Sequence, residues 1–548
     1  MDVEKAIRGI NIDVDKIADP AVKTIIIQLL NIIEAQAKEI TYLREENQKL
    51  RDENSQLKGE QGKPNIRPQT KGSKNVSSES ERKKRKKKKL KKSKSKKHKI
   101  KVDRTIVCKV DEAQLPPDAI FKGYKRVLVQ DIIIKTDNIE FKKEVYYSPT
   151  LNEIFLAPLP DGYQGEFGPN VKALIISLHY VHKMTEPAIV EHLRNHGLLI
   201  SSASVSRMIT DKHDSFHKEK KEIVKAGLPS TIYQQMDDTG ARVNGKNYYT
   251  HILCNDYYTA YFTRPRKDRL TVLEILVQGQ LRFKFDALSY ALMECMGLPN
   301  KMLSQLKQRV SAVVMNKQRT GMWLSRLFPE LKKHYKSRRI ILEAGALSAY
   351  QQSSNAISIL LTDDAPQFKG ITEHLALCWV HDGRHYKKLS PVVPQHKMQL
   401  ENFLEQYWEY YHKLLDYKKS VTSSLAKKLA GEFDSLFSIK TGYEQLDERI
   451  EKTRLKKESL LLVLKYPHIP LHNNASELGA RVQARYRDIS FQTRNVKGTQ
   501  GKDTFMTIVA TAKKLGVNVF HYILDRVSGK LEMSSLASLI EARIGSPP

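Results

Sequence analysis

Ile-Ser-Ile-Leu-Leu-Thr-Asp-Asp (357–364) is a short apolar run that breaks into two acids. Its length and abrupt end predict a buried strand over Ile357–Leu361 that delivers Asp363 to a sheet edge. A second such end lies upstream. Ile232–Met236 reads as a strand ending at Asp237, inside Gln-Gln-Met-Asp-Asp-Thr-Gly (234–240). Tyr248–Cys254 and Thr259–Thr263 follow across turn residues, so three antiparallel strands are expected, with Asp237 on the first. Asp268–Val277 reads as a helix capped by Asp268, and Leu375–Val380 as a further strand ending at His381. Asn-Asn-Ala-Ser (473–476) then precedes Glu477 at the start of a helical segment. Strands, then helix and strand in alternation, then a helix bearing an acid, predict an α/β core: a mixed sheet flanked by helices.

Asp237, Asp363 and Glu477 have the chemistry of a divalent-metal site. Mg²⁺ prefers hard oxygen ligands and keeps several waters. Two such ions about 3.5–4 Å apart can activate an attacking oxygen and stabilise a leaving one, which suits phosphodiester chemistry. The chain has 61 acidic residues, so context alone selects these three. Their neighbours Asp238 and Asp364 remain open as the ligands.

Charge says what such a site would act on. Lys plus Arg is 92 against 61 Asp plus Glu, a formal net charge of +31. That excess points to a polyanion, with nucleic acid ahead of an acidic membrane surface. No run of about 18 apolar residues suggests a membrane span. Met-Asp-Val-Glu-Lys at the start lacks the pattern of a signal peptide, and Cys108, Cys254, Cys295 and Cys378 form no CxxC pair. A reducing, cytoplasmic and nucleoid-associated location is expected, without a zinc ribbon or a disulfide framework.

The chain divides by composition. Residues 1–60 carry heptads, with Ile33, Ile40, Asn47 and Asn54 at one position and Leu29, Gln36, Leu43, Leu50 and Leu57 at the other. This predicts a zipper through which the chain self-associates as a dimer or larger assembly; the competing reading is a helix packed on its own protein. Residues 61–103 read as a disordered linker. Fifteen of the twenty residues from Arg82 to Lys101 are Lys or Arg. Arg82, Lys83, Lys84, Arg85 and Lys86 open this block, which is expected to bind DNA phosphates without reading sequence.

Residues 104–165 read as a small β region, with runs at Arg126–Ile134, Glu144–Tyr147 and Glu153–Leu156. Residues 166–228 read as helical. Thr185 and Pro187 open one helix, Gly197 ends it, and Ser201 or Ser202 caps the next. Helix, short turn and helix form a helix-turn-helix candidate, with Ser202, Ser204 and Arg207 facing a major groove. Residues 229–520 hold the sheet, and 521–548 read as a C-terminal tail.

Several local motifs resemble the insertion-sequence-66 family of bacterial DDE transposases. Asp237-Asp238-Thr239 stands where that family has Asp-Glu-Thr. Cys378, Trp379, His381 and Arg384 match its Cys-Trp-x-His-x-x-Arg. Asn473, Asn474, Glu477, Arg481 and Arg487 match Asn-Asn-x-x-Glu and its trailing arginines. The Lys63-Pro64 linker, Phe167-Gly168-Pro169 before Leu-His-Tyr (178–180), and Thr511-Ala512-Lys513 with Gly516-Val517 agree as well.

The resemblance implies a ribonuclease-H-like core and a transposase that cleaves and joins DNA strands. It makes Asp237, Asp363 and Glu477 the ligands of two Mg²⁺ (or Mn²⁺) ions. Arg481 and Arg487 would contact phosphates, and Cys378, Trp379, His381, Arg384, Asn473 and Asn474 would shape the site. Its partners would be transposon ends, target DNA and accessory transposition proteins.

Three departures stand out. Only Cys108 remains of the family's Cys-rich zinc segment, so zinc is not expected there. The gap from Asp237 to Asp363 is long, which marks about 280–345 as a helical insertion. The basic block is unusually rich.

A second helical insertion covers about 391–465. Its Tyr407, Trp408, Tyr410 and Tyr411 read as packing core, with base stacking as the alternative. Three other functions stay open: a DNA-binding regulator that has lost catalysis, a nuclease of the same fold, and a scaffold using the zipper and basic arm.

Overall fold

The computed structural model describes residues 12, 14–57, 101–111, 115–116, 118–163, 165–309, 313–330 and 332–544. The basic block from Arg82 to Lys86 and onward to residue 100 lies outside the described residues.

Helix α1 (Pro20–Leu57) is followed by a hairpin of β1 (Val145–Ser148) and β2 (Glu153–Leu156). The expected strand at Arg126–Ile134 is absent; that stretch is exposed and lies in no ladder. High β-propensity without a pairing edge gives no strand. Helices α2 (Pro169–Ile176), α3 (Glu186–Asn195), α4 (Ser202–Thr210) and α5 (Asp214–Gly227) come next, with a π turn over Ser177–Val181.

The central sheet has strands β3 (Tyr233–Val243), β4 (Lys246–Cys254), β5 (Thr259–Arg264), β8 (Ile359–Thr362) and β9 (His374–Leu377). Their order is β5-β4-β3-β8-β9. The first three are antiparallel, and β8 and β9 join parallel to β3. The predicted mixed sheet is therefore present. Strand β3 does not end at Asp237: it runs on to Val243, turns at Asn244-Gly245, and pairs with β4 throughout.

Between β5 and β8 lie α6 (Arg269–Val277), capped by Asp268 as expected, α7 (Ala287–Cys295), α8 (Asn300–Arg309), α9 (Lys317–Leu327) and α10 (Tyr335–Gln351). This insertion is not only helical. Strands β6 (Arg282–Phe285) and β7 (Val313–Asn316) form a separate antiparallel pair within it.

The segment expected as a strand ending at His381 stops being strand at Leu377. Cys378 caps α11 (Trp379–Lys387), so His381 is helical. Helices α12 (Pro394–Tyr417), α13 (Ser423–Leu436), α14 (Glu444–Arg454), α15 (Lys457–Leu460) and α16 (Leu462–Lys465) build the second insertion. Its aromatic cluster is core: Tyr407 and Tyr410 lie against Trp379, and all are buried.

Helices α17 (Asn474–Ser490), α18 (Val496–Lys514), α19 (Val519–Ser528) and α20 (Leu536–Ile544) close the chain. The expected tail from residue 521 is thus largely folded, because Tyr522, Ile523, Leu536 and Ile540 are buried in the main core. Helix α18 covers the open edge of the sheet. The β5 amides of Thr259, Tyr261 and Thr263 donate to side chains of Thr511, Thr507 and Asp503, spaced one helical turn apart. Those donors would otherwise be an unpaired edge.

Candidate active site

Alternation along β3 decides which aspartate faces which way, since successive strand side chains point to opposite faces. Asp237 faces the side covered by α17. Its neighbour Asp238 faces away, where Gln367 donates to it at 2.7 Å and Lys267 stands 3.5 Å off. The next strand sets Asp363 just beyond its last residue, Thr362. Asp364 points elsewhere again and is paired with Lys456 at 2.7 Å and Lys369 at 3.2 Å.

Helix α17 brings the third acid. It lies close on β4, and Gly479 makes that possible: a Cβ there would stand 2.8 Å from Cγ2 of Ile252. Asn473 fastens the start of this helix. Its Nδ2 donates to the Met236 carbonyl at 2.7 Å, and its backbone amide donates to Cys378 Sγ at 3.2 Å. Trp379 adds an amide bond to the Leu471 carbonyl and an indole bond to Leu460. The first turn of α17 thus places Glu477 beside Asp237, midway along β3, and the end of β8.

Asp237, Asp363, His381, Arg384, Glu477 and Arg481 border one open pocket of about 510 Å³, with Cys378 and Asn473 in its wall. The Arg384 guanidinium grips Glu477 with two bonds, Nη1 to Oε1 at 3.2 Å and Nη2 to Oε2 at 2.7 Å. Burial, together with the nearby Asp363 charge, pushes the Asp237 carboxyl up to about 7. Burial raises Asp363 too, against the opposing pull of His381. The Cys378 thiol is pushed up to about 11 by burial, so it stays protonated and accepts the Asn473 and His381 amides.

The donor chemistry suits a hard divalent cation. The three acids offer only oxygens, and Asp237 and Asp363 are half-buried and raised by desolvation, which a cation would relieve. Asn473 Oδ1 adds a buried acceptor with no hydrogen-bond partner. Among the described residues, no three His, Cys, Asp or Glu side chains stand close enough to hold one ion. Glu477 is turned to Arg384, and a cation would compete with that pair.

Other expected residues fall in several places. Arg481 is at the pocket, but Arg487 is not: its Nη1 donates to the Gly240 carbonyl at 2.9 Å and ties α17 to β3. Asn474 opens the helix rather than lining the pocket. Ser204 and Arg207 lie on α4, away from the three acids. Ser201 caps that helix, Val205 and Ile209 face the core, and Arg207 is exposed. The pair α3 and α4 packs against the same core as the sheet, and Tyr180 of the π turn donates to the Ile209 carbonyl at 2.9 Å.

Lys388 also lines the pocket and was not anticipated from the sequence. Its signal was present, since positions 381, 384 and 388 share one face of a helix.

The transposase IS66 family profile matches residues 317–501, about a third of the chain. The match contains Asp363 and Glu477 and stops short of Asp237. The uncharacterized Sinorhizobium fredii protein y4jO is 29% identical over 323 residues, which is 59% of this chain and all of that protein. No solved structure matches. Among the described residues, no helix is long and apolar enough to cross a membrane. The family resemblance read from the motifs is borne out by the profile over residues 317–501.

Proposed function

We propose that this chain, which carries the transposase IS66 family domain over residues 317–501, is a DDE transposase that cleaves and joins DNA strands at insertion-sequence ends. The observation that carries this reading is the meeting of Asp237, Asp363 and Glu477 around one pocket from three separate elements. The sheet order, three antiparallel strands followed by two parallel ones, supports a ribonuclease-H-like core.

Asp237, Asp363 and Glu477 would hold two Mg²⁺ or Mn²⁺ ions. Such ions supply charge stabilisation for the attacking and leaving oxygens of an in-line displacement. The chain's own residues do the rest. Asp237, whose carboxyl is pushed up to about 7 by burial and the nearby Asp363 charge, would be a ligand whose charged form a cation favours. Arg384 fixes the direction of Glu477 through its planar fork. Arg481, Lys388 and Arg384 give the pocket the positive charge that a phosphodiester needs. Cys378 and Asn473 hold the start of α17 in register with β3. His381 lines the same pocket, its protonation disfavoured on balance by burial although Asp363 pulls the other way.

DNA is engaged more widely by the block from Arg82 to Lys101, by Arg207 on the exposed face of α4, and by a dimer formed through α1. Purified full-length chain with Mg²⁺ or Mn²⁺ should cut labelled DNA bearing the element's terminal repeats. Binding without any metal-dependent cutting would instead support a DNA-binding regulator.

A further inference from the structure

A second cleft, about 420 Å³, lies on the far side of the loop that carries Asp363. Its walls come from three places. The turn after β5 gives Arg266 and Lys267, the start of α6 gives Arg269, and α10 of the first insertion gives Arg339 and Glu343. Pro366 and Gln367, just past Asp363, close one end. Gln367 of this cleft donates to Asp238, which Lys267 also contacts, and the adjacent Asp237 borders the three-acid pocket from the opposite face of β3.

The charges do not cancel. Glu343 is nearly buried and shared by two guanidiniums, Arg269 and Arg339. Asp268 is occupied in capping α6, where it accepts the Thr271 amide and hydroxyl. Counting Asp238 beside Lys267, four cations face three carboxylates, which leaves one positive charge in excess. Arg266 and Lys267 are exposed, and the Arg339 side chain is 52% exposed. The Tyr249 ring lies in the same wall, 5.4 Å from Lys267 Nζ. An aromatic face beside guanidiniums suits a phosphate with its sugar and base.

The geometry points to a phosphate-binding subsite for the DNA strand lying across the three carboxylates, formed by Arg266, Lys267 and Arg339. This inference rests on DNA being the substrate of that site. It gives the first insertion a role: α10 supplies one of the three cations of the subsite.

The test is the salt dependence of DNA binding. Each phosphate neutralised contributes a slope of about −0.9 on duplex, or about −0.7 on single strands, in log affinity against log salt. Full-length chain is titrated without divalent metal against a duplex with a single-stranded end. The double variant Arg266→Ala/Arg339→Ala should weaken binding and lower the slope by about 1–2. The variant Lys301→Ala/Lys307→Ala, which removes two exposed lysines of α8, should leave both unchanged. Arg266→Ala alone, at an exposed turn, should show the same trend if the double variant unfolds. Equal affinity and slope for wild type and the cleft variants, with melting unchanged, would overturn the subsite. Failure of the transposase reading would show differently, as wild type that never cuts with metal, and would leave this comparison intact.

Discussion

Arg384 on α11 and Glu477 on α17 form a two-pronged ion pair, 3.2 Å and 2.7 Å, between helices that are far apart in sequence. The pair is partly buried, so it is screened less than a surface contact. Arg384→Ala should release Glu477 from its competing partner, lower the Mn²⁺ concentration needed for half-maximal cutting several-fold, and slow cutting at saturating metal because Glu477 is no longer oriented. Arg384→Lys keeps the charge without the fork and should fall between. Metal titrations of cutting rate check this, and identical curves for all three proteins would contradict it.

Gly479 lets α17 lie on the sheet, with Ile252 in the way of any larger residue. Gly479→Ala should destabilise the fold by about 1–3 kcal/mol, in the range of overpacked cores. It should also slow cutting, because Glu477 is only two residues away. Ile252→Ala on that background relieves the clash, so the double variant should lose less stability in urea melts than the two single changes summed. No cost from the first change would mean the helix is not held so closely.

Both predictions depend on contacts that the sequence reading could not supply. The strands were legible because β4, β5 and β8 are short apolar runs with clear turns. The far half of β3 was not, since Asp-Asp-Thr-Gly looks like a loop; pairing with β4 holds it extended. Period-two alternation already implied that Asp237 and Asp238 face opposite sides. Only the position of α17 shows which side is the site. His381 was misplaced because Leu375–Val380 is apolar enough for a strand, and the Cys378 cap is a local backbone event. Arg487 sits on the expected helix, yet its partner is the Gly240 carbonyl.

The N-terminal helix has two apolar faces: one docks on its own protein, as the competing reading of the heptads expected, and the other carries exposed leucines. Leu30 and Ala37 are buried against Val393, and Ile33 packs there too. Buried Glu34 accepts the Val392 and Val393 amides. Leu29, Leu43 and Leu50 stay exposed on the other face. Leu43→Glu/Leu50→Glu should therefore lower the mass seen by light scattering without changing thermal stability. Leu30→Ala should instead loosen the docked half at a cost of about 2–5 kcal/mol, seen as faster proteolysis within 20–57. Unchanged mass for the first variant would remove the zipper from the account.

Glu219 on α5 is buried beside Tyr522 and Arg526. Burial, only partly offset by Arg526, lifts its carboxyl to about 7 from an ordinary 4.5. A raised carboxyl favours the protonated fold. Its contribution is full below about pH 4.5 and is lost as pH rises through about 7. Glu219→Gln should gain on wild type as pH rises across that window, by on the order of 3 kcal/mol. Denaturation of both proteins at each pH isolates this from Asp237, which titrates in the same direction. A constant gap would show that Glu219 is not desolvated.

The central claim is that Asp237, Asp363 and Glu477, and not their neighbours, carry the chemistry. Metal-dependent cutting of end-bearing DNA by Asp237→Ala, Asp363→Ala and Glu477→Ala, set beside Asp238→Ala and Asp364→Ala, tests it most directly. The account predicts that the first three bind DNA but do not cut, while the last two retain measurable cutting. Normal cutting by any of the first three, or loss confined to the neighbours, would contradict it.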